Sequence, residues 1–293
     1  MTRQRQPLRL AILEAERVLA AAGVESPRVD AELIAAHVLG VERGRLPMVP
    51  LVDPPVVDAI GQLVGQRAKH VPLQHLTGWA AMGPITVGVG PGVFVPRPET
   101  ELLLEWGLAQ IKDVADPVVV DLCTGSGALA LAVAHLRRDA TVHAVECDPV
   151  ALAWARQNAE VRAQSEDQPI RLYAGDVTDQ GLFSDLDGTV HLVLCNPPYV
   201  PEGTIVPPEV ADHDPHDAVF AGADGLAVIR HVVALAARLL AKGGALAIEH
   251  DSRHQDAVLD LLATRKVLTE TAGHRDLADR PRFVTARRGT GTE

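Results

Sequence analysis

Val118-Val119-Val120-Asp121-Leu122-Cys123-Thr124-Gly125-Ser126-Gly127 reads as a buried strand that turns straight into a helix. Its apolar run is of the kind covered on both faces in a parallel sheet. The turn from Cys123 to Gly127 carries two glycines, which let a ligand approach the backbone and the N-terminus of the helix expected over 128–136. It lacks the Gly-Lys-Ser/Thr of a phosphate loop, which excludes nucleotide hydrolysis of that type. Gly125, Gly127 and Ala130 satisfy the loose dinucleotide pattern, so this turn alone leaves a nicotinamide enzyme and a methyltransferase both open.

Outward from this stretch, strands and helices alternate. Strands are expected at Val142–Glu146, near Ile170–Tyr173, at His191–Cys195 and at Ala245–Glu249, with helices over about 149–161 and 225–240. Such alternation argues for a mostly parallel α/β sheet covered on both faces. Arg282–Ala286 is expected as a last, antiparallel strand, and 201–223 as a long loop holding several acids and histidines. Upstream, 7–69 is helical text. Leu10, Leu13, Val18 and Ala21 are expected on one side of a first helix; Ser26-Pro27 and Asp53-Pro54 start two more, and Gly40 stops the second. The glycine-broken alternation over 84–95 suggests a hairpin, after which Pro96 to Glu101 opens a helix that continues through Leu102, Leu103 and Trp106. The expected division is a helical bundle over 1–82, a hairpin connector over 83–98 and a catalytic domain over 99–293.

The 293 residues suffice for a substantial core, and 47% hydrophobic with 22% charged residues is ordinary for a globular protein. The formal net charge of −11 argues against a protein built to grip nucleic-acid phosphates, so no direct nucleic-acid binding is expected. The apolar runs are too short to cross a membrane and the N-terminus has no signal-peptide core, so a cytoplasmic protein, read as a monomer, is expected. Cys123, Cys147 and Cys195 read as reduced thiols, and His213 and His216 as loop histidines, with no metal site.

Two further features carry chemistry. Glu146 ends its strand 21 positions beyond Gly125, where a carboxylate can take both hydroxyls of a ribose. Asp176, in Gly175-Asp176-Val177, is open between facing an adenine amine and serving a turn. The second feature is Asn196-Pro197-Pro198-Tyr199. A strand entering a double proline must leave the sheet, which holds the Asn196 side chain at the carboxyl end of a central strand. An amide or aromatic-amine nitrogen is a poor nucleophile and must be oriented to react. The Asn196 oxygen can accept one of its N–H bonds, the Pro197 carbonyl the other, and Tyr199 can pack against its plane.

These residues together resemble class I S-adenosylmethionine methyltransferases acting on amide or amino nitrogen. More specifically, the chain resembles the HemK/PrmC family of peptide chain release factor glutamine methyltransferases. The likeness rests on Asp121 to Ala130, Asn196 to Tyr199, Pro72 to Gly78, Val95-Pro96-Arg97-Pro98-Glu99-Thr100-Glu101, Gly222 to Leu226, Glu249-His250 with Gln255, and Arg280-Pro281-Arg282. It departs in two places: Cys123 stands where the family's first loop glycine is usual, and Asp214-Pro215 replaces the usual Glu-Pro.

The resemblance implies a Rossmann-like methyltransferase sheet with a small N-terminal helical bundle. It places the cofactor S-adenosylmethionine on Cys123, Thr124, Gly125, Ser126, Gly127, Glu146, Asp176 and Asn196, with Asp121 also lining the cleft. The substrate glutamine falls on Asn196, Pro197, Pro198 and Tyr199, of which Asn196, Pro197 and Tyr199 carry the catalysis. Phe94 is open between covering the cofactor and filling a hairpin core. The implied partners are release factors, gripped by the helical domain and methylated in their Gly-Gly-Gln loop. Ribosomal-protein glutamine methylation and adenine-N6 methylation are the rivals within the class, and a nicotinamide oxidoreductase outside it.

Overall fold

The computed structural model describes residues 4–291, in two compact units: Met1–Trp79 with Val206–His213, and Ala80–Ile205 with Asp214–Glu293.

The first unit opens with Gln6–Pro7 (β1), then helices Leu8–Ala21 (α1) and Pro27–Leu39 (α2), with Leu51–Val52 (β2) pairing antiparallel to β1 before Pro54–Arg67 (α3) and the short Leu73–Thr77 (α4). Pro27 and Pro54 occupy first-turn positions, where the missing N–H costs nothing, and Gly40 closes α2 in the left-handed region at φ 64°. Leu8, Ile12, Leu19, Ile34, Ala35, Val52, Ile60 and Val64 form its core. The face of α1 differs from the expected one. Leu10, Leu13, Val18 and Ala21 are exposed, and the buried stripe is Leu8, Ala11, Ile12, Ala15 and Leu19. Apolar residues surround much of this helix. The stripe that wins is the one whose small alanines, at spacings of three and four, allow close helix packing.

The second unit begins within Trp79–Met82 (β3), which makes a two-stranded hairpin with Ile85–Gly88 (β4) about Gly83. The pairing thus lies earlier than the expected 84–95. Residues 90–95 run irregularly, yet bury Val93 and Val95 completely. A single 3₁₀ turn, Pro98–Thr100, leads into Glu101–Gln110 (α5).

The main body is a seven-stranded sheet. Its strands are Val118–Leu122 (β5), Thr141–Glu146 (β6), Arg171–Ala174 (β7), Val190–Cys195 (β8), Leu240–Glu249 (β9), Leu268–Arg275 (β10) and Pro281–Arg288 (β11), in the order β10-β11-β9-β8-β5-β6-β7. The five strands from β9 to β7 are parallel, and β11 runs antiparallel to both β9 and β10. Helices Ala128–Leu136 (α6), Pro149–Ala163 (α7), Ala227–Leu239 (α10) and Gln255–Ala263 (α11) connect them. Pro208–His213 (α8), in the first unit, and His216–Val219 (α9) interrupt the long loop. Two apolar clusters cover the sheet, one around Leu103, Val119, Ala130 and Leu194, the other around Leu122, Val193, Ile229 and Ile248.

The sequence names neither β10 nor α11. In β10 only Leu268 is buried, so this edge strand has no inward-facing apolar series to read. The chain runs from β5 outward to β6 and β7, then returns to β8 on the other side of β5. The carboxyl ends of β5 and β8 therefore form the switch point, where ligands bind in open α/β sheets.

Candidate active site

Leu122 and Cys195 are direct partners in the β5–β8 ladder, so Cys123 and Asn196 leave the sheet side by side. The loop after β5 is held from three directions. The Thr124 amide donates to the Val145 carbonyl (3.0 Å), the Gly127 amide to the Thr124 carbonyl (2.9 Å), and the Gly125 amide to Glu146 Oε2 (2.8 Å). Gly127 caps α6 at φ 81°, a conformation that L side chains adopt only at a cost. Cys123 lies at φ 60° with a Cβ present, in the region where glycine is the usual choice. Burial, with the neighbouring Cys123 thiol, pushes the Cys195 thiol well above its ordinary pKa, so Cys195 sits as a neutral group beneath the site.

Glu146 is nearly buried at the end of β6. Its second oxygen, Oε1, accepts from the Asp148 amide at 2.9 Å. Oε1 also takes the Cys147 thiol at 3.6 Å, so it is Oε2, with the Gly125 amide as its one protein partner, that keeps a lone pair for a ligand hydroxyl. Asp121 is buried, with Oδ2 accepting the Thr124 hydroxyl at 2.5 Å. Burial above all lifts its pKa to about 7, with Glu146 adding to the rise and hydrogen bonds from Thr124 and the Ala130 backbone opposing it. Ser126 is also buried, and its carbonyl accepts from Asn158 Nδ2 at 2.9 Å. Asp176 stands one strand further out, exposed, with Oδ1 accepting the Thr178 amide at 2.8 Å, so it serves the turn.

Asn196 donates through Nδ2 to Thr100 Oγ1 at 3.1 Å, and Thr100 donates to Glu249 Oε2 at 2.8 Å. The Tyr199 hydroxyl donates to the other oxygen of the same carboxylate at 3.0 Å. Burial, reinforced by Glu249, drives the Tyr199 phenol well above its usual range, so it acts as a neutral donor and not as a base. Pro197 is buried, and among the described residues no backbone donor reaches its carbonyl. The turn is held from behind by the Tyr199 and Val200 amides, both donating to the Val219 carbonyl at 3.2 and 2.9 Å. Gly225 closes in as well: a Cβ there would sit 2.4 Å from the Tyr199 carbonyl oxygen.

Phe94 is absent from the apolar clusters that take its neighbours Val93 and Val95. It is half-buried beneath the Arg97 guanidinium, 5.0 Å from ring centroid to Cζ, and Arg97 pairs with the buried Asp214 at 2.7 Å. His216 faces Glu202 at 3.4 Å and stacks on Phe220.

Sequence reasoning missed Asn158. This buried residue of α7 also bonds both the amide and the carbonyl of Gly88, tying the glycine loop to the hairpin. A polar residue in line with Ala151, Leu152 and Ala155 on the buried face of the helix was the available signal. Thr100 and Glu249 were marked only as parts of family motifs.

The seven-stranded sheet, with its parallel centre and antiparallel β11, is the class I methyltransferase fold. Among solved structures it is similar to the T. thermophilus 16S rRNA N2 methyltransferase in complex with AdoMet and guanosine, with a TM-score of 0.52 at 21% identity over 72% of this chain and 49% of that one. A family described as the PrmC N-terminal domain matches residues 11–78, and one described as the methyltransferase small domain matches 87–211. Curated relatives named release factor glutamine methyltransferase are 54% identical in Mycolicibacterium smegmatis (96% of this chain, 98% of the relative) and 47% in Mycobacterium tuberculosis (96% and 91%). A third, from Streptomyces coelicolor, is 45% identical (94% and 96%). The chain belongs to the release factor glutamine methyltransferase family.

Proposed function

We propose that this protein transfers a methyl group from S-adenosylmethionine to the side-chain amide nitrogen of the glutamine in the Gly-Gly-Gln loop of translation release factors. The observation that carries this reading is the Asn196 amide. Its NH₂ end is spent on Thr100, which leaves its oxygen as an acceptor beside the Pro197 carbonyl, which takes no backbone donor among the described residues. Two fixed oxygens can take both hydrogens of a carboxamide NH₂ and direct its nitrogen, and they stabilise the positive charge that grows on that nitrogen as it is alkylated. Tyr199, tied to Glu249, offers a ring to the plane of the amide.

The residues present fit the cofactor. A Cβ at Gly125 would meet nothing within 4 Å, so the loop leaves room for a ligand against its backbone. Glu146 keeps acceptor capacity for a ribose, and the neighbouring Cys123, Thr124, Ser126, Gly127 and Asn196 surround the same sheet edge. When bound, S-adenosylmethionine supplies an electrophilic methyl on a sulfonium. Asp121 and Glu146 add negative character to that side of the site. The helical unit docks the release factor, so that binding energy from contacts outside the reacting amide helps to position it. Protein substrate, cytoplasmic site of action and a monomeric enzyme complete the proposal.

The test is mass spectrometry of a purified release factor incubated with this protein and S-adenosylmethionine. One added methyl on the Gly-Gly-Gln glutamine is expected, and Gln→Ala in the release factor removes it. Methylation elsewhere, or none, overturns the reading.

A further inference from the structure

Thr100 and Glu249 lie far apart in the chain and are both almost wholly buried. Thr100 ends the 3₁₀ turn formed by the Pro-Arg-Pro-Glu-Thr-Glu stretch, and Glu249 ends β9, whose Ile248 pairs with Cys195. Neither is placed to face a ligand through its own carboxylate or hydroxyl, because both groups are spent on neighbours. Glu249 accepts from Thr100 and from Tyr199, and Thr100 accepts from Asn196.

We propose that Thr100 and Glu249 are positioning residues that set which end of the Asn196 amide faces the acceptor nitrogen, while the same carboxylate holds the Tyr199 ring. The inference rests on the proposed function for its catalytic consequence. Its physical basis is proton counting. A carboxylate only accepts, so the single hydroxyl proton of Thr100 goes to Glu249. The Thr100 oxygen then has only lone pairs to offer Asn196, and only the NH₂ end of the amide can meet them. With the amide reversed, two oxygens would face each other with no proton between them, in a buried place where an unmade hydrogen bond is costly.

The arrangement inverts if Glu249 takes up a proton, since the carboxyl then donates through one oxygen and frees the Thr100 proton for the Asn196 oxygen. The groups facing this carboxylate are Thr100 and Glu99 from the turn before α5, Tyr199 after β8 and Arg282 on β11. Burial and the Glu99 charge favour the proton. Arg282, itself paired with Asp276 at 3.1 Å, and the two hydroxyl donors oppose it, and the balance lies above the ordinary glutamate value. Turnover therefore falls as the pH drops through the Glu249 titration.

Two experiments test this. Steady-state turnover on a release factor is measured for the wild type, Thr100→Val, Thr100→Ser and Glu249→Gln across pH. Removing one preorganised hydrogen-bonding group that faces a developing charge costs about 10²–10³ in kcat, and misorienting the Asn196 amide forfeits part of that, so Thr100→Val and Glu249→Gln are expected to lose at least tenfold in kcat with little change in KM for either substrate. Thr100→Ser restores turnover, and Glu249→Gln loses the acid limb of the kcat profile. The second experiment needs no turnover. The chain holds two asparagines, Asn158 and Asn196, so asparagine labelled with ¹⁵N on the side chain gives two NH₂ signal pairs. The pair absent in Asn196→Ser belongs to Asn196, and its hydrogen exchange is expected to accelerate at least tenfold in Thr100→Val but not in Thr100→Ser. Unchanged exchange overturns the proposal, as does a wild-type kcat in Thr100→Val. A wild type that leaves release factors unmethylated overturns the proposed function instead, and the exchange result then decides the positioning role alone.

Discussion

The Asn196 side-chain amide donates to the Thr100 hydroxyl at 3.1 Å across 96 positions of sequence. The contact joins the most distinctive motif before the sheet to the turn that leaves its centre. One residue's single proton thereby decides the polarity of another's side chain.

The carboxylate of Glu146 holds Gly125 and Asp148 through separate oxygens. Glu146→Gln replaces one acceptor by a donor, so one of those amides loses its partner and the loop loses its anchor. S-adenosylmethionine affinity, measured by calorimetry, is expected to fall at least about tenfold, which is the worth of one charge-assisted hydrogen bond. Unaltered affinity would remove Glu146 from the cofactor site.

Asp121 titrates near pH 7 in the folded protein and near 4 when unfolded. Between those values the native state holds a proton that the unfolded chain has released. Its contribution to stability is therefore complete below about pH 4 and is lost as the pH rises through about 7. Denaturant unfolding at pH 5 and pH 8 should show greater stability at the lower value. Asp121→Asn should flatten this slope in part, because buried Glu249 titrates in the same direction.

Cys123 sits at φ 60°. Cys123→Gly relieves about 1 kcal/mol of left-handed strain but adds a similar entropic cost, so stability should move by less than about 1 kcal/mol. Cys123→Val, branched at Cβ in the same conformation, should cost about 2 kcal/mol and weaken cofactor binding. Thermal unfolding with and without S-adenosylmethionine separates the two effects.

Gly225 combines φ 71° with a would-be Cβ 2.4 Å from the Tyr199 carbonyl. Backbone cannot yield there as a flexible side chain would. Gly225→Ala should destabilise by about 2 kcal/mol or more and displace Tyr199, lowering kcat beyond the stability effect. Wild-type turnover would show that the loop can withdraw without disturbing the turn.

Much of this was legible in the sequence. Val118–Leu122 and Val190–Cys195 are largely apolar runs, the first ending in a glycine-bearing turn and the second in a double proline that cannot continue a ladder, so strand, turn and sheet edge follow from local chemistry. The antiparallel setting of β11 was legible too. The face of α1 was not, because leucines surround that helix and its packing partner selects the stripe with small alanines. Nor was β10, whose pairing comes from the ladder with β11 and not from buried side chains. Thr100 and Glu249 were beyond local reading because they act through a hydrogen bond to each other across 149 positions, and Asn158, though its place on a buried face was a local signal, finds its partners 32 and 70 positions away.

The first unit is discontinuous. After the Asn-Pro-Pro-Tyr turn the chain contributes α8 to it, and Glu209 there joins Asp30 in neutralising the nearly buried Arg67, each at 2.7 Å. A gene cut once near codon 79 would thus yield a bundle whose buried guanidinium has lost one of its two counterions. Exchanging this module between homologues requires two grafts made together, because the guanidinium and one of its carboxylates come from stretches more than a hundred residues apart.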